Sequence, residues 1–246
     1  MSFVADERNP PHPGDRAPLV LRAGAASCRV QPWTPQPGTA QMVLYHQAHL
    51  PSVSDLQRWL DRLRALGYER VRTSALTTGL GQRAEAAGFS VLQELVLLEH
   101  VRPSSAPEPT LPTHRLVGAQ HARAAAIDHA AFGAAWGLDE GAIHDVCDAT
   151  PRHRARAAGR PLAGYAITGR DGRQGFLQRL AVHPDSQRAG LGRALVLDSL
   201  HWLALWRVQR VLVNTPTDNA PALELYERVG FRRMPERLRV YERSLT

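Results

Sequence analysis

The chain has 246 residues, of which 43% are hydrophobic and 22% are charged, and its formal net charge is +7. These values are typical of a folded globular protein and exclude disorder over most of the chain. The basic residues are all arginine, which indicates genome composition bias more than a nucleic-acid surface, although the positive charge favours anionic ligands such as nucleotide phosphates.

Two features predict the cellular compartment. Cys28 and Cys147 lie far apart without a CxxC pair, so we expect neither a disulfide framework nor a zinc site. Residues 1–16 are polar and rich in proline, and we interpret them as a loose tail without an export signal. Because no apolar run approaches the length of a membrane span, we expect a cytoplasmic protein that stays out of the membrane.

Residues 17–101 are predicted to form a first α/β unit. Its apolar patterns follow the order strand, helix, strand, helix, strand. The first helix opens at a serine cap, Ser54, and the second stops at Gly88. The five segments read TAQMVLYHQAHLP, SDLQRWLDRLRALGY, RVRTSAL, GQRAEAAGF and VLQELVLLEH.

A proline-rich segment, RPSSAPEPTLPTH, follows this unit. Its four prolines between Arg102 and His114 exclude both a helix and a central strand. We interpret residues 102–112 as a semi-rigid linker, so that residues 113–246 form a second folding unit.

The second unit is predicted to follow the order helix, helix, strand, strand, helix, strand, helix, strand. Two apolar runs, Leu162 to Thr168 and Gly175 to Val182, flank a Gly/Asp turn and indicate a β-hairpin. The last helix has Asn219 as its N-cap, Pro221 in its first turn and Gly230 as its stop. The other segments read GAQHARAAAIDHAAFG, DEGAIHDVCDA, RALVLDSLHWLALW, RVLVNT and LRVYERSL.

The strongest chemical signal is VHPDSQRAGLGRAL, Val182 to Leu195, where a strand leads through a loop into a helix. Gly190 and Gly192 let the backbone turn, so that successive N–H groups converge at the positive end of the helix dipole. Such a loop suits a pyrophosphate, although similar loops also join strands to helices without a ligand. It is neither a dinucleotide fingerprint nor a Walker loop, because the third glycine and the Gly-Lys-Ser/Thr sequence are missing.

A second motif consists of Asn219, Tyr226, Gly230 and Phe231. Together with the loop Gln187 to Gly192, it resembles the GNAT superfamily of N-acetyltransferases. That family has a Gln/Arg-x-x-Gly-x-Gly/Ala loop, followed by an Asn…Tyr…Gly-Phe pattern at the separation seen here.

The resemblance covers about residues 113–246 and implies a fold and a donor. The fold is the GNAT fold, of the α/β (α+β) class, with a mixed central sheet whose two central parallel strands splay apart. The implied acyl donor is acetyl-CoA, and no metal is expected.

The resemblance also implies roles for single residues. A backbone N–H near Leu180 or Val182 would polarise the thioester carbonyl. Tyr226 would protonate the departing sulfur as a general acid, or else simply pack its helix on the sheet. The implied cofactor-binding residues are Leu180, Ala181, Val182, Gln187, Arg188, Ala189, Gly190, Leu191, Gly192, Asn219 and Tyr226.

The general base is left open by the sequence. A ribosomal-protein acetyltransferase branch of the family has a Glu five residues before the Asn, where this chain has Asn214. An amide cannot take up a proton, but Asn214 can hold a water or the incoming amine and is kept as a catalytic candidate. Four other side chains are predicted either to act as the base through a water molecule or simply to be polar residues on helix surfaces. They are His144, Asp145, Asp198 and His201.

The segment AAFGAAWGLDEGAIHDVC stands where the family has its substrate-facing helices. Phe132, Trp136 and Leu138 are predicted either to line an acceptor pocket or to belong to the core. Arg179 is expected to be exposed beside the thioester or to pair across the sheet.

The first unit repeats the element order of the second, and Ala84 to Phe89 matches Tyr226 to Phe231, 142 positions later. We therefore predict that it is a partial, degenerate GNAT-like domain. Its counterpart of the phosphate loop, LPSVSDLQ, lacks glycine and contains the acidic Asp55. We interpret Gly79 and Gly81 as a loop feature, and we predict that this half neither binds CoA nor transfers an acyl group.

These features together predict an acyltransferase that moves acetyl from acetyl-CoA to a primary amine of a small molecule or protein by direct attack. The first half would support the acceptor site. The alternative is a non-catalytic acyl-CoA-binding sensor or interaction protein, which Asn214 favours. Nucleic-acid binding is not expected, because the sequence contains no recognised nucleic-acid-binding module. The sequence leaves open whether the protein forms a homodimer.

Overall fold

The computed structural model describes residues 17–44 and 49–246. The predicted tail and the end of the first predicted strand, at 45–48, lie outside the described residues. No helix in the described part of the chain is long and apolar enough to cross a membrane.

The chain divides into two compact units. The first contains the residues up to Leu95 together with Arg237–Thr246, and the second contains Val96–Glu236. The last strand predicted from the sequence, LRVYERSL, therefore belongs to the first unit, a return of the chain that local patterns do not reveal.

The first unit is built on a mixed sheet in the order β1-β2-β3-β4-β11-β5. Only β3 and β4 pair in parallel among the pairs with a defined register, whereas β1 with β2, β2 with β3 and β4 with β11 are antiparallel. Two helices accompany the strands, in the order strand, helix, strand, helix, strand from β3 to β5 that the sequence predicts. The elements are β1 (Leu19–Ala23), β2 (Ala26–Pro32), β3 (Thr39–Val43), α1 (Val53–Ala65), β4 (Arg70–Thr73), α2 (Thr78–Ala86), β5 (Ser90–His100) and β11 (Arg232–Ser244).

The N-cap of helix α1 lies two residues before the predicted cap, so the assignment of Ser54 as N-cap is wrong. The N-cap is Ser52, whose hydroxyl accepts the Asp55 N–H at 3.2 Å, while the Asp55 carboxylate accepts the Ser52 N–H at 2.8 Å. This reciprocal pair is a capping box, which satisfies two backbone donors at the start of the helix. The apolar face of α1 is buried in the core of the first unit through Leu56, Trp59, Leu60 and Leu63.

The interpretation of Gly79 and Gly81 as a loop feature is also wrong, because both glycines lie inside α2. A Cβ on Gly81 would come within 2.2 Å of the Tyr241 hydroxyl oxygen, whereas a Cβ on Gly79 would meet open space. Gly81 therefore makes room for the ring of Tyr241, which is buried and donates a hydrogen bond from its hydroxyl to Glu85 at 3.0 Å.

The second unit has the sheet order β5-β10-β9-β8-β7-β6. The predicted hairpin is confirmed as β8 and β9, and the predicted helices are all present. The elements not yet given are β6 (Thr113–Arg115), α3 (His121–Phe132), α4 (Glu140–Asp148), β7 (Arg152–Ala158), β8 (Gly164–Asp171), β9 (Gln174–Val182), α5 (Leu191–Leu205), β10 (Arg210–Pro216) and α6 (Ala220–Val229).

The sheet of the second unit has a core on each face. Leu195, Leu200 and Tyr226 belong to the cluster that α5 and α6 form with one face. On the other face α3 and α4 pack against β8 and β9 through Ile127 and Ile143. This arrangement leaves the junction of β9 and β10 between two helical layers.

Candidate functional site

The parallel strands β9 and β10 separate along their length. Their register joins Arg210 to Gln174 and ends at Leu212 opposite Phe176, although β9 continues to Val182. Beyond Phe176 the ladder between these two strands does not continue in the described residues. The predicted splay of the two central parallel strands is confirmed.

Backbone groups of β9 face this opening. The His183 N–H donates to the Ala163 carbonyl on the β8 side at 2.8 Å. Because backbone groups alternate between the two sides of a strand, the N–H groups of Leu180 and Val182 point away from β8, toward the separated β10. These are the two N–H groups that the sequence analysis expects beside a thioester.

The predicted phosphate loop lies directly after β9. Gly190 has φ 85° and Arg188 has φ 61°, so the chain turns through two left-handed residues before α5 begins at Leu191. In the part of the chain that the structure describes, no side chain caps α5 and its first turn carries no acidic residue. The free N–H groups and the helix dipole therefore create a positive end that suits an anion.

A hydrogen bond and a close approach relate the loop to its neighbours. The Gln187 side-chain amide donates to the Val182 carbonyl at 3.2 Å, although the side chain of Gln187 is exposed. A Cβ on Gly192 would lie 3.3 Å from Leu225 and 3.7 Å from Val182, which places this glycine where α5, α6 and β9 approach one another. Arg188 and Ala189 are exposed and Leu191 is half-buried.

Helix α6 has the caps that the sequence predicts. The Asn219 side-chain oxygen accepts the Ala222 N–H at 3.2 Å, Pro221 lies in the first turn, and Gly230 ends the helix with φ 105°. These contacts confirm the local prediction and show that the side-chain oxygen of Asn219 serves its own helix.

Tyr226 is buried on α6 and only 5% exposed. Its ring lies 5.7 Å from that of Phe231 between centroids. Burial raises the pKa of the Tyr226 phenol well above its usual value, and the positive charge of Arg179 opposes this shift. The phenol is protonated at neutral pH, as a general acid must be, and the same shift makes it a weaker proton donor than a free tyrosine.

Asn214 and the candidate bases lie in different environments. Asn214 is an exposed residue of β10. His144 is 70% exposed and pairs with Asp148, whereas Asp198 binds Arg154 at 3.0 Å. Asp145, also on α4, is half-buried, and His201 approaches the Ala106 carbonyl at 3.0 Å.

Arg179 is neither exposed nor paired across the sheet, so both expectations for it are wrong. Its side chain is 18% exposed and forms a two-point ion pair with Asp128 of α3, with N–O distances of 2.8 and 2.5 Å. It also donates to the Trp136 carbonyl at 2.9 Å and stacks on the Phe132 ring, 3.7 Å from its centroid. Of the predicted pocket residues, Leu138 is buried, whereas Phe132 and Trp136 are half-buried.

Asp128 and Tyr165 are the residues that the sequence analysis missed. Asp128 is fully buried and accepts the Tyr165 hydroxyl at 2.6 Å and the Leu138 N–H at 2.7 Å, besides the two bonds from Arg179. The one available signal was a carboxylate on the apolar face of an alanine-rich helix, since Ala124 and Ala125 of the same helix are also buried. A buried charge requires a partner, but the sequence does not say which.

The two cysteines do not offer a nucleophile. Burial raises the pKa of the Cys147 thiol on α4 to about 11 and that of Cys28 to about 12. Both thiols are therefore protonated at neutral pH, which disfavours a covalent acyl-cysteine step.

The first unit has none of these openings where they are expected. Strand β3 pairs with β4 from Thr39 opposite Arg70 to Met42 opposite Thr73, and the Ser74 N–H then donates to the Met42 carbonyl at 2.8 Å. The N-terminus of α1 is occupied by its own Asp55 carboxylate. In the described part of this unit, the counterpart strands β3 and β4 do not separate and the counterpart helix α1 has a capped start, whereas α2 starts without a side-chain cap.

Known proteins are similar to this chain in sequence. Residues 125–231 match the model of the Acetyltransferase (GNAT) family. A mycothiol acetyltransferase of Clavibacter michiganensis subsp. michiganensis is 33% identical over 180 residues, which cover 70% of this chain and 52% of that relative. The chain thus spans about half the length of this relative, and the match to the mycothiol acetyltransferase of Acidothermus cellulolyticus, 39% identical over 84 residues, covers 25% of that protein.

Two solved structures share the fold. A tandem GNAT protein from the clavulanic acid biosynthesis pathway has a TM-score of 0.65 at 16% identity, covering 92% of this chain and 82% of that one. A GCN5-related N-acetyltransferase from Sphaerobacter thermophilus has a TM-score of 0.62 at 14% identity, covering 90% and 77%. The tandem neighbour agrees with the two-part layout that the sequence predicts.

Proposed function

Because the chain belongs to the GNAT acetyltransferase family through residues 125–231, we propose that it moves an acetyl group from acetyl-CoA to a primary amine. The observation that carries this proposal is the open junction of β9 and β10, which lies directly before an uncapped helix start. Only the second unit combines these two features in the residues that the structure describes.

The residues around this junction fit acetyl-CoA as the donor substrate. The backbone from Gln187 to Gly192 would hold the pyrophosphate, because its N–H groups converge at the positive end of α5. The strand from Leu180 to Val182 would pair with the amides of the pantetheine arm, since its outward backbone groups have lost their partner strand. Arg188 adds positive charge at the loop.

Each protein group would act at a defined stage. The outward N–H of Leu180 or Val182 would stabilise negative charge on the acetyl oxygen as the amine attacks. Holding the amine against the donor supplies much of the rate gain through proximity. The protonated Tyr226 hydroxyl would then donate its proton to the departing sulfur.

The attacking amine would lose its proton to a water molecule. Asn214, exposed on β10, cannot accept this proton through its amide, but it would hold that water or the amine itself. Asn214 also stands where a branch of the family has a glutamate. This loss of a carboxylate supports a second candidate function, a non-catalytic acyl-CoA sensor. The acceptor is proposed as a primary amine, and mycothiol-type amines are the first class to test because curated relatives carry the name mycothiol acetyltransferase.

Thiol release from acetyl-CoA tests the proposal. The full chain is incubated with acetyl-CoA and a panel of mycothiol-type amines, polyamines, aminoglycosides, amino acids and peptides with free N-termini. We expect amine-dependent thiol release and an acetylated amine in the mass spectrum. Tight binding of acetyl-CoA without transfer to any amine would instead support the sensor, and absence of binding would contradict both functions.

A further inference from the structure

The buried pair of Asp128 and Arg179 joins the acceptor side of the second unit to the strand at the donor site. Asp128 is fully buried, and all four of its hydrogen bonds come from three residues: Arg179, Tyr165 and Leu138. Arg179 completes the link by donating to the Trp136 carbonyl. The network therefore fixes the segment between α3 and α4 to β8 and β9.

This segment forms a turn between α3 and α4. It starts at Gly133, with φ 73°, and its internal bonds run from the Trp136 and Gly137 N–H groups to the Gly133 carbonyl, at 3.3 and 2.8 Å. Gly137 approaches α3 so closely that a Cβ would lie 2.5 Å from the His129 ring. The bonds through Arg179 and Asp128 add long-range polar contacts to Trp136 and Leu138.

The position of Arg179 argues against a purely structural role. It directly precedes Leu180, whose outward N–H faces the proposed acetyl site, and its guanidinium stacks on the Phe132 ring. Buried ion pairs add little net stability compared with apolar residues of similar volume, but they define geometry. What this pair defines is the placement of Phe132 and Trp136 relative to the reacting strand.

We propose that Arg179 is a positioning residue for the amine acceptor, acting with Asp128 to hold the segment Gly133–Asp139 beside the acetyl group. This inference rests on the proposed acetyltransferase function. Arg179 does not touch the reacting atoms in this assignment. Because its charge is already balanced by Asp128, it would orient a neutral amine without selecting an anionic acceptor.

The test uses the full chain and removes both charges at once, since removing only one would leave a buried charge without a partner. The main variant is Asp128→Leu/Arg179→Met, and Arg179→Lys is the conservative variant. Arg154→Gln is the matched control, because Arg154 also binds an aspartate, Asp198, but links β7 to α5. All are assayed with the panel amine that the wild type acetylates fastest.

We expect the double variant to raise KM for the amine about tenfold to a hundredfold, because misplacement by about 1 Å has effects of this size. The acetyl-CoA Kd and the KM of the control should stay at the wild-type values. Arg179→Lys should show most of the same KM increase, since lysine keeps the charge but cannot form the two-point bond. Equal changes in the control, or an unchanged KM in the double variant, would overturn the inference.

Hydrogen exchange of residues 133–139 gives a second measurement that needs no turnover. We expect faster exchange of this segment in the double variant and no change in Arg154→Gln. Unchanged exchange would overturn the inference even if the enzyme is active. If the wild type binds acetyl-CoA normally but acetylates no amine, the proposed function is contradicted. The proposal that Arg179 and Asp128 hold residues 133–139 in place is then still tested by the exchange measurement.

Discussion

The two units use the same succession of elements but differ at three equivalent places. In the second unit β9 and β10 separate, α5 starts without a side-chain cap and α6 carries Tyr226. In the first unit β3 and β4 stay paired, α1 is capped by Asp55 and α2 carries Ala84. At the first two places the second unit is open where the first unit is paired or capped. At the third place the second unit has a tyrosine where the first unit has an alanine.

Tyr241 shows how the first unit fills the space that a smaller helix face leaves. Gly81 and Ala84 of α2 correspond in position to Leu223 and Tyr226 of α6, and the Tyr241 ring packs against Gly81. The first unit therefore stabilises its fold with a tyrosine from a strand, whereas the second unit keeps a tyrosine on the helix beside the open strands. The same residue type is structural in one place and, as proposed, catalytic in the other.

The largest effect should come from Tyr226→Phe, compared with Tyr241→Phe. Loss of the proton donor should lower kcat about a hundredfold to a thousandfold without changing the Kd for acetyl-CoA. Tyr241→Phe should keep kcat and cost about 1 kcal/mol of stability, because the hydrogen bonds of its hydroxyl with Glu85 and Arg239 are lost. Steady-state kinetics measure kcat, calorimetry measures the Kd for acetyl-CoA, and urea unfolding measures the stability. A wild-type kcat in Tyr226→Phe would contradict the difference between the two tyrosines.

A second comparison uses two glycines with the same backbone angle. Gly190 in the phosphate loop and Gly88 after α2 both have φ 85°. Alanine at either position should cost about 1–2 kcal/mol of stability, because a side chain disfavours the left-handed region. Only Gly190→Ala should also weaken acetyl-CoA binding, by about tenfold for a comparable loss in binding free energy. Equal Kd values for the two variants would show that the loop does not hold the donor.

A third comparison concerns the packing of α2. Gly81→Ala should destabilise the protein by about 1–3 kcal/mol, because its Cβ would overlap the Tyr241 hydroxyl. Gly79→Ala, in open space on the same helix, should instead stabilise it by about 0.5–1 kcal/mol. Urea unfolding of the full chain measures both values. Similar effects of the two substitutions would contradict the filling of this space by Tyr241.

The smallest effect concerns the capping box of α1. Hydrogen bonds from Ser52 lower the pKa of Asp55 below its usual 3.8, so its contribution to stability is present above that pH and disappears as the pH falls through the folded-state pKa. Asp55→Ala should cost about 1 kcal/mol at neutral pH. Thermal unfolding at several pH values should show this difference shrinking in acid. A difference independent of pH would argue against the ionised cap.

The sequence was sufficient for features that depend on neighbouring residues. Asn219, Pro221 and Gly230 define both ends of α6, and the hairpin of β8 and β9 follows from two apolar runs around a turn. The splay of β9 and β10 was expected only from the family resemblance, because no local pattern encodes it.

Features that depend on distant parts of the chain could not be predicted. Strands β1, β2, β6 and β7 were missed, and β7 reads RHRARAA, whose arginines mask the alternation of a partly exposed strand. Asp128 and Arg179 are 51 residues apart in sequence, so their pairing requires the sheet and helix to be in place. The return of the last strand into the first unit could not be predicted for the same reason, because it depends on pairing with residues far away in the sequence.

The central difference between the two units is tested most directly by hydrogen exchange of the full chain with and without acetyl-CoA. We expect acetyl-CoA to protect backbone amides of residues 177–193, which form the open strand and the uncapped helix start. Residues 39–55, their counterpart in the first unit, should exchange at the same rate in both samples where they are observed. Equal protection of both segments, or protection of 39–55 alone, would contradict the assignment of donor binding to the second unit.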